Sequence, residues 1–270
     1  MREKLPVSVF IITYNEADRI ALTINSVRDW VDEVIAIDSG STDDTVKIAA
    51  SLDTRVLFNT WQGYGLQKRF GEEQCRNRWL LNLDADEEVT PELAQEIRAL
   101  FANGEPTLAG YVLRIRDLLP GETKLVPFAH TNYALRLYNR DKARFSDSPV
   151  HDTVQVIQGE TVILNAPAMH RSFRDLAHAL EKMNYYTSMQ AENLRKKGMK
   201  LPTLRLISEF PVAFFKDYIL RGYIFRGRKG FVYAAVYAFT RFVRIAKYME
   251  SPSSRRRPET MPFPGDSADG

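Results

Sequence analysis

Three apolar runs, Val7–Thr13, Glu33–Asp38 and Trp79–Leu83, stop abruptly at polar or acidic residues. The first runs into Tyr14-Asn15-Glu16, the second into Ser39-Gly40-Ser41-Thr42-Asp43, and the third into Asp84-Ala85-Asp86. Short continuous apolar runs read as strands covered on both faces, as in a parallel sheet. The segments between them have helical spacing. Ile20, Ile24, Val27 and Val31 fall on one side of Ala17–Trp30, and Ser41–Ser51 begins with helix-capping residues. Gly65–Cys75 is a third helical segment, and Arg55–Phe58 a further short strand. Thr90-Pro91-Glu92 opens another helix, with Thr as N-cap and Pro at the first position, which stops at Asn103-Gly104. Strand–helix alternation with short connections predicts an α/β fold, Rossmann-like, with a mostly parallel, doubly wound sheet.

The pattern changes after Gly110. Tyr111–Arg116, Tyr133–Tyr138, Thr153–Gln158 and Thr161–Leu164 read as strands without intervening helices, an antiparallel extension. From Arg174 the chain is helical, with a break near Gly198–Pro202. This divides it into a catalytic domain over 1–170, a basic, aromatic helical region over 171–250 and a disordered tail over 251–270, rich in Pro, Ser, Gly and charge. No internal repeat is visible.

The net charge of +3 hides an asymmetry. Residues 1–170 carry 18 Lys and Arg against 25 Asp and Glu; residues 171–270 carry 19 against 9. An acidic body with a basic end suggests two tasks. The lone Cys75 excludes an internal disulfide framework, so a reducing compartment is expected. The apolar stretch at the N-terminus is too short for a signal peptide and reads as a first strand, placing the protein in the cytoplasm. No run of about 18 uncharged apolar residues is present, so a spanning helix is not expected.

Ligands of open α/β sheets bind outside the carboxyl ends of the strands, so the residues that follow the three runs are the candidate site. Asp84 and Asp86, one residue apart at a strand end, can share a hard divalent cation. Mg²⁺ or Mn²⁺ would leave coordination positions for substrate phosphate oxygens. The plainer reading of the same triplet is a solvated acidic loop capping the next helix. For Ser41 and Asp43 a turn and helix cap suffice; Asp38, at the strand end itself, could accept hydrogen bonds from a ribose or base.

Together VFIITYNEADRI, VIAIDSGSTDDT, GYGLQKRFG and WLLNLDADEEV, in this order and spacing, resemble glycosyltransferase family 2, of the GT-A fold. LDADEE, LYNRDKARF and SPVHDTV narrow the resemblance to the lipopolysaccharide-core β-1,4-glucosyltransferase branch. The resemblance implies an inverting transferase that moves a sugar, glucose by preference, from a UDP-sugar donor to a saccharide or lipid-linked acceptor. It assigns Thr13, Asn15 and Glu16 to the nucleotide pocket, Asp38 to the uracil or ribose, and Asp84 and Asp86 to ribose and metal. Lys68 would approach the nucleotide or its phosphates; an exposed helix lysine is the equal alternative. Inversion needs a carboxylate base, for which Asp152 is the candidate and Asp147 the reserve. Related sequences tend to have Glu there, and the shorter Asp is a departure. His151 would bind metal or diphosphate, or be a hydrogen-bonded loop histidine. The Gln-x-x-Arg-Trp motif of processive synthases is missing.

Residues 201–250 hold 12 Phe and Tyr and nine Lys and Arg against three acids. Amphipathic helices of this composition suit an anionic membrane surface, on the inner face of the cytoplasmic membrane. The alternatives are packing on the catalytic domain or a second copy. Single-stranded nucleic acid also suits basic, aromatic sequence, but acidic strand ends would repel its phosphates, so no nucleic-acid partner is expected. A non-catalytic module of the same fold is the remaining alternative.

Overall fold

The computed structural model describes residues 4–126, 131–146, 152–199 and 202–250. Expectations for Asp147, His151 and the tail at 251–270 lie outside the described residues. Among the described residues the chain divides into two compact units, one of residues 4–116, 131–146 and 152–170, the other of 117–126, 171–199 and 202–250.

The first unit is built on an eight-stranded sheet. Its first half is parallel, in the order β3 (Arg55–Phe58), β2 (Val31–Asp38), β1 (Leu5–Thr13), β4 (Trp79–Asp84). The sheet continues through β7 (Thr131–Asn139), antiparallel to β4, then β6 (Gly110–Asp117), β10 (Thr161–His170) and the short β5 (Glu87–Val89). A separate hairpin-like pair joins β8 (Ala143–Phe145) to β9 (Val154–Val156). The expected antiparallel extension is therefore the second half of the same sheet, except that the strand expected over Thr153–Gln158 is β9 of the separate pair. Strands β5 and β8, each three residues long, are too short to announce themselves by periodicity.

Side chains alternate across β1. Val7, Val9 and Ile11 face a core shared with Ile20 and Ile24 of α1 (Ile20–Asn25), Ala49 of α2 (Thr45–Ser51), and Leu93 and Ile97 of α4 (Pro91–Leu100). The opposite face carries α3 (Tyr64–Gln74), which lies so close that a Cβ on Gly71 would sit 2.8 Å from a ring carbon of Phe10. Only glycine allows that approach. The sheet is thus covered on both faces, and the doubly wound expectation holds. Thr90 caps α4 as expected, accepting from the Leu93 N–H at 3.2 Å. The helix expected over Ala17–Trp30 spans only Ile20–Asn25. Ser26 Oγ donates back to the Thr23 carbonyl (2.7 Å), competing with the helix ladder, and the chain proceeds in turns. Ile20, Ile24, Val27 and Val31 remain buried, so the apolar stripe is correct although the helix is short.

The second unit is helical: α5 (Leu176–Lys196), α6 (Leu204–Phe215) and α7 (Gly227–Met249). A wide π turn over Lys216–Leu220 and a 3₁₀ turn over Tyr223–Arg226 join α6 to α7. A Cβ on Gly230 would lie 1.8 Å from the Tyr223 carbonyl oxygen, so glycine lets α7 fold back on that turn.

Candidate active site

The strand ends form one continuous surface in the first unit. Parallel register pairs Thr13 with Asp38 and Ile12 with Asp84. The loops after β1 and β2 are stitched together. The Asn15 N–H donates to Ser41 Oγ (2.9 Å), Asn15 Oδ1 accepts from the Thr42 N–H (2.8 Å), and the Glu16 N–H donates to Thr45 Oγ1 (2.7 Å). Asn15 adopts a left-handed backbone (φ 54°), which Asn tolerates better than most residues. Asp38 shapes its own turn, accepting from the Gly40 and Ser41 N–H groups (2.8 and 2.9 Å) and from Ser41 Oγ. The turn-and-cap task that sufficed for Ser41 and Asp43 therefore extends to Asp38. Thr13 Oγ1 is buried and has no hydrogen-bond partner among the described residues, a state that costs about 1–3 kcal/mol unless a ligand or water satisfies it.

Beside this floor lies a charged cluster. Lys68, on the sheet-facing side of α3, is fully buried, so the reading of an exposed helix lysine is set aside. Its Nζ is 2.9 Å from Asp84 Oδ1 and 2.8 Å from Asp152 Oδ2. Burial alone would lower its pKa; the Asp84 and Asp152 carboxylates outweigh that and raise it. Arg136, from β7, reaches Asp84 Oδ2 (2.6 Å), Glu87 Oε1 (2.7 Å) and Asn82 Oδ1 (2.6 Å). Burial works to raise the Asp84 carboxyl, but Arg136 and Lys68 hold it below the usual carboxylate range. Burial pushes Glu87 up against the pull of Arg136.

Asp86 turns to different partners. His170 Nε2, at the last residue of β10, is 3.3 Å from Asp86 Oδ2, and Arg19 Nη1 is 3.4 Å from the same oxygen. Arg19 also holds Glu16, with Nε 2.8 Å from Oε2. The loop between the two aspartates is anchored by Thr23 Oγ1, which donates to the Ala85 carbonyl at 2.8 Å. The two aspartates expected to share a cation thus have separate partners: Asp84 is engaged by Lys68 and Arg136, and Asp86 by His170 and Arg19. Among the described residues no three His, Cys, Asp or Glu side chains converge as a metal site. The donor pair that fits a cation is a buried carboxylate and an imidazole nitrogen, with open positions left for a ligand's own oxygens.

Lys68, Asp84 and Asp152, named separately from the sequence, come together. Arg136, Glu87, Arg19 and His170 did not emerge from sequence reasoning. Arg136 had a signal, a charge inside the apolar stretch Ala134-Leu135-Arg136-Leu137-Tyr138; Arg19 and Glu87 lie within the motifs VFIITYNEADRI and WLLNLDADEEV, and His170 had no signal beyond its residue type.

The family model for glycosyl transferase family 2 matches residues 8–159, which hold all four strand ends and most of the cluster. An uncharacterized glycosyltransferase of Rickettsia felis is 42% identical over 254 residues, 91% of this chain and 90% of that protein. The lipopolysaccharide core biosynthesis glycosyltransferase LpsC of Rhizobium meliloti is 30% identical over 266 residues, 96% of this chain and 97% of its own. The crystal structure of Staphylococcus aureus TarS 1-349 superposes with a TM-score of 0.47 at 16% identity, covering 86% of this chain and 89% of that one. With its family's matching segment spanning the strand ends and full-length relatives on either side of one third identity, the chain belongs to glycosyl transferase family 2 and is a glycosyltransferase.

Proposed function

We propose that this glycosyltransferase transfers a sugar with inversion, glucose by preference, from a UDP-sugar to a saccharide or lipid-linked acceptor in cell-envelope or lipopolysaccharide-core synthesis. The observation that carries the reading is the pairing of one buried ammonium, Lys68, with two carboxylates, Asp84 and Asp152, at the mouth of the parallel strands. The likeness to LpsC supports the class of acceptor.

In this reading Thr13, Asn15, Glu16 and Asp38 line the nucleotide pocket. The buried Thr13 hydroxyl is available to a base or ribose, and Asp38 keeps the loop geometry while offering a carboxylate edge. Asp84, fixed by Arg136 and Lys68, orients the ribose. Lys68 meets the diphosphate. Asp152 accepts the proton of the attacking hydroxyl, in line with the bond to the departing diphosphate. Asp86 and His170 would hold a divalent cation, which when bound offsets the charge that develops on that leaving group. The imidazole tilts this donor set from Mg²⁺, which takes oxygen ligands, towards Mn²⁺. Among the described residues no helix is long and apolar enough to cross a membrane. Attachment is proposed to be peripheral, through residues 201–250, on the inner face of the cytoplasmic membrane. The test is a panel of nucleotide sugars assayed for donor hydrolysis with Mn²⁺ and with chelator. Hydrolysis confined to a UDP-sugar with Mn²⁺ is expected; equal turnover of every nucleotide, or full activity in chelator, would refute it.

A further inference from the structure

Helix α6 and the π turn after it leave an apolar side uncovered. The exposed side carries Leu204, Ile207, Val212, Phe215 and Leu220, with 73, 74, 65, 59 and 70% of their surfaces open. With Ser208, Pro211, Lys216 and Ile219, also exposed, they form one open side of the helix and the wide turn, in rows three and four residues apart. The covered side packs Ala213, Phe214 and Tyr218 and also holds two acids. Glu209 is 8% exposed and accepts from Arg205 Nε and, across on α7, Arg241 Nε. Asp217 is 3% exposed and accepts from Arg221.

A water-facing helix normally keeps its uncovered side polar, and an open apolar face of this size marks a surface that meets something. Charge decides what. Over residues 202–250 the acids are Glu209, Asp217 and Glu250, and the first two are turned inward. Lys216 is exposed within this open side, and Arg228 and Lys229 are exposed at the start of α7. A second copy docked by a two-fold axis would set these cations against themselves; an anionic lipid surface would neutralise them. Pro211 adds a limit on depth. It has no N–H for the Ile207 carbonyl one turn back, and that oxygen is tolerated at the wet headgroup level but not in hydrocarbon.

We infer that the outer stripe of α6 and the π turn is the membrane-docking face, lying in the plane of an anionic bilayer with Ile207, Phe215 and Leu220 in the acyl boundary. This narrows the attachment proposed above to one face and rests on that reading. The experiment is flotation of the full chain with vesicles of phosphatidylcholine alone or mixed with phosphatidylglycerol. It compares the protein with Ile207→Ser/Phe215→Ser/Leu220→Ser, with Phe215→Ser alone, and with the control Val162→Ser/Ile163→Ser, which alters exposed apolar residues of the first unit. Donor hydrolysis in solution verifies that each variant is folded. The unaltered chain and the control should float with the anionic vesicles, while the triple variant loses at least about tenfold in partitioning, with the single variant between. If all float alike, attachment stands and this face is wrong. Equal flotation on neutral vesicles would overturn the anionic assignment. If nothing floats and the triple variant dissolves a dimer seen by light scattering, the occupant is a second copy. If nothing floats and the chain is a monomer, the membrane reading itself fails.

Discussion

Lys68 Nζ bridges two carboxylates that lie far apart in the sequence, 2.9 Å from Asp84 and 2.8 Å from Asp152, and it does so fully buried. An ammonium out of water is tolerated only with such partners. The same contacts that hold it charged fix the position of the proposed base. α3 can present it there because Gly71, three residues on, lets the helix lie against Phe10.

Lys68→Met should therefore act on stability and on chemistry together. Removing one member of a buried ion cluster costs about 3–5 kcal/mol, measured by urea unfolding followed through Trp30, Trp61 and Trp79, all in the first unit. UDP affinity should fall by about tenfold or more, the loss of one charge-assisted bond. Lys68→Arg should not restore it, since a planar fork does not fit a fully packed point-charge site. Unchanged UDP affinity by calorimetry in a folded Lys68→Met protein would take Lys68 out of the donor site.

Asp152→Asn keeps the shape of the side chain and cannot take a proton. Turnover should fall on the order of 10²–10⁴-fold with UDP-sugar affinity preserved. The product of the unaltered enzyme, from an α-linked donor, should be β-linked by NMR. An α-linked product would refute inversion, and near-normal turnover in Asp152→Asn would move the role to Asp147 or another carboxylate.

Much of this arrangement could be read from the sequence because burial writes itself into strands. The runs ending at Thr13, Asp38 and Asp84 gave the parallel half of the sheet and the edge where its polar ends meet, and Thr90-Pro91 gave the start of α4. What stayed hidden depends on pairings between distant segments. His170 meets Asp86 because β10 returns beside β5, setting His170 opposite Glu87. Arg136 reaches Asp84 because β7 runs antiparallel along β4. Neither pairing has a local signature. Which side of α6 is left uncovered was also invisible, since its composition is the same whichever side faces out.

The Asp86–His170 pair makes a prediction about metal that is independent of turnover. Asp86→Ala and His170→Ala should each weaken Mn²⁺ binding in the presence of UDP by at least about tenfold, as loss of a supporting ligand typically does, read from the electron paramagnetic resonance of free Mn²⁺. Glu73→Gln, which alters an exposed acid of α3 paired with Arg69, should leave it within a few-fold. Equal Mn²⁺ affinity in Asp86→Ala would place the cation elsewhere.

Glu209 sets a pH dependence for the helical unit. Burial would raise its pKa, but the bonds from Arg205 and Arg241 outweigh burial and hold it below the usual carboxylate range. A carboxyl whose folded pKa is depressed contributes stability above its unfolded value, near 4.3, and that contribution is lost as the pH falls through the folded value. Glu209→Gln should thus destabilise the α6–α7 pairing at pH 7 by about 1–2 kcal/mol, a figure reduced because its arginine partners are partly solvated. As the pH falls below that unfolded value the variant and the unaltered chain should approach each other, since protonation removes the charge that the two arginines bind. The three tryptophans lie in the first unit and do not report on these helices. The measurement is hydrogen exchange by mass spectrometry over Leu204–Phe215 and Gly227–Met249. Each protein is compared with the other at the same pH, so that the intrinsic pH dependence of exchange cancels. Faster exchange in Glu209→Gln at pH 7 that narrows on acidification is expected. A difference that is constant with pH would show that Glu209 acts through packing and not through its charge.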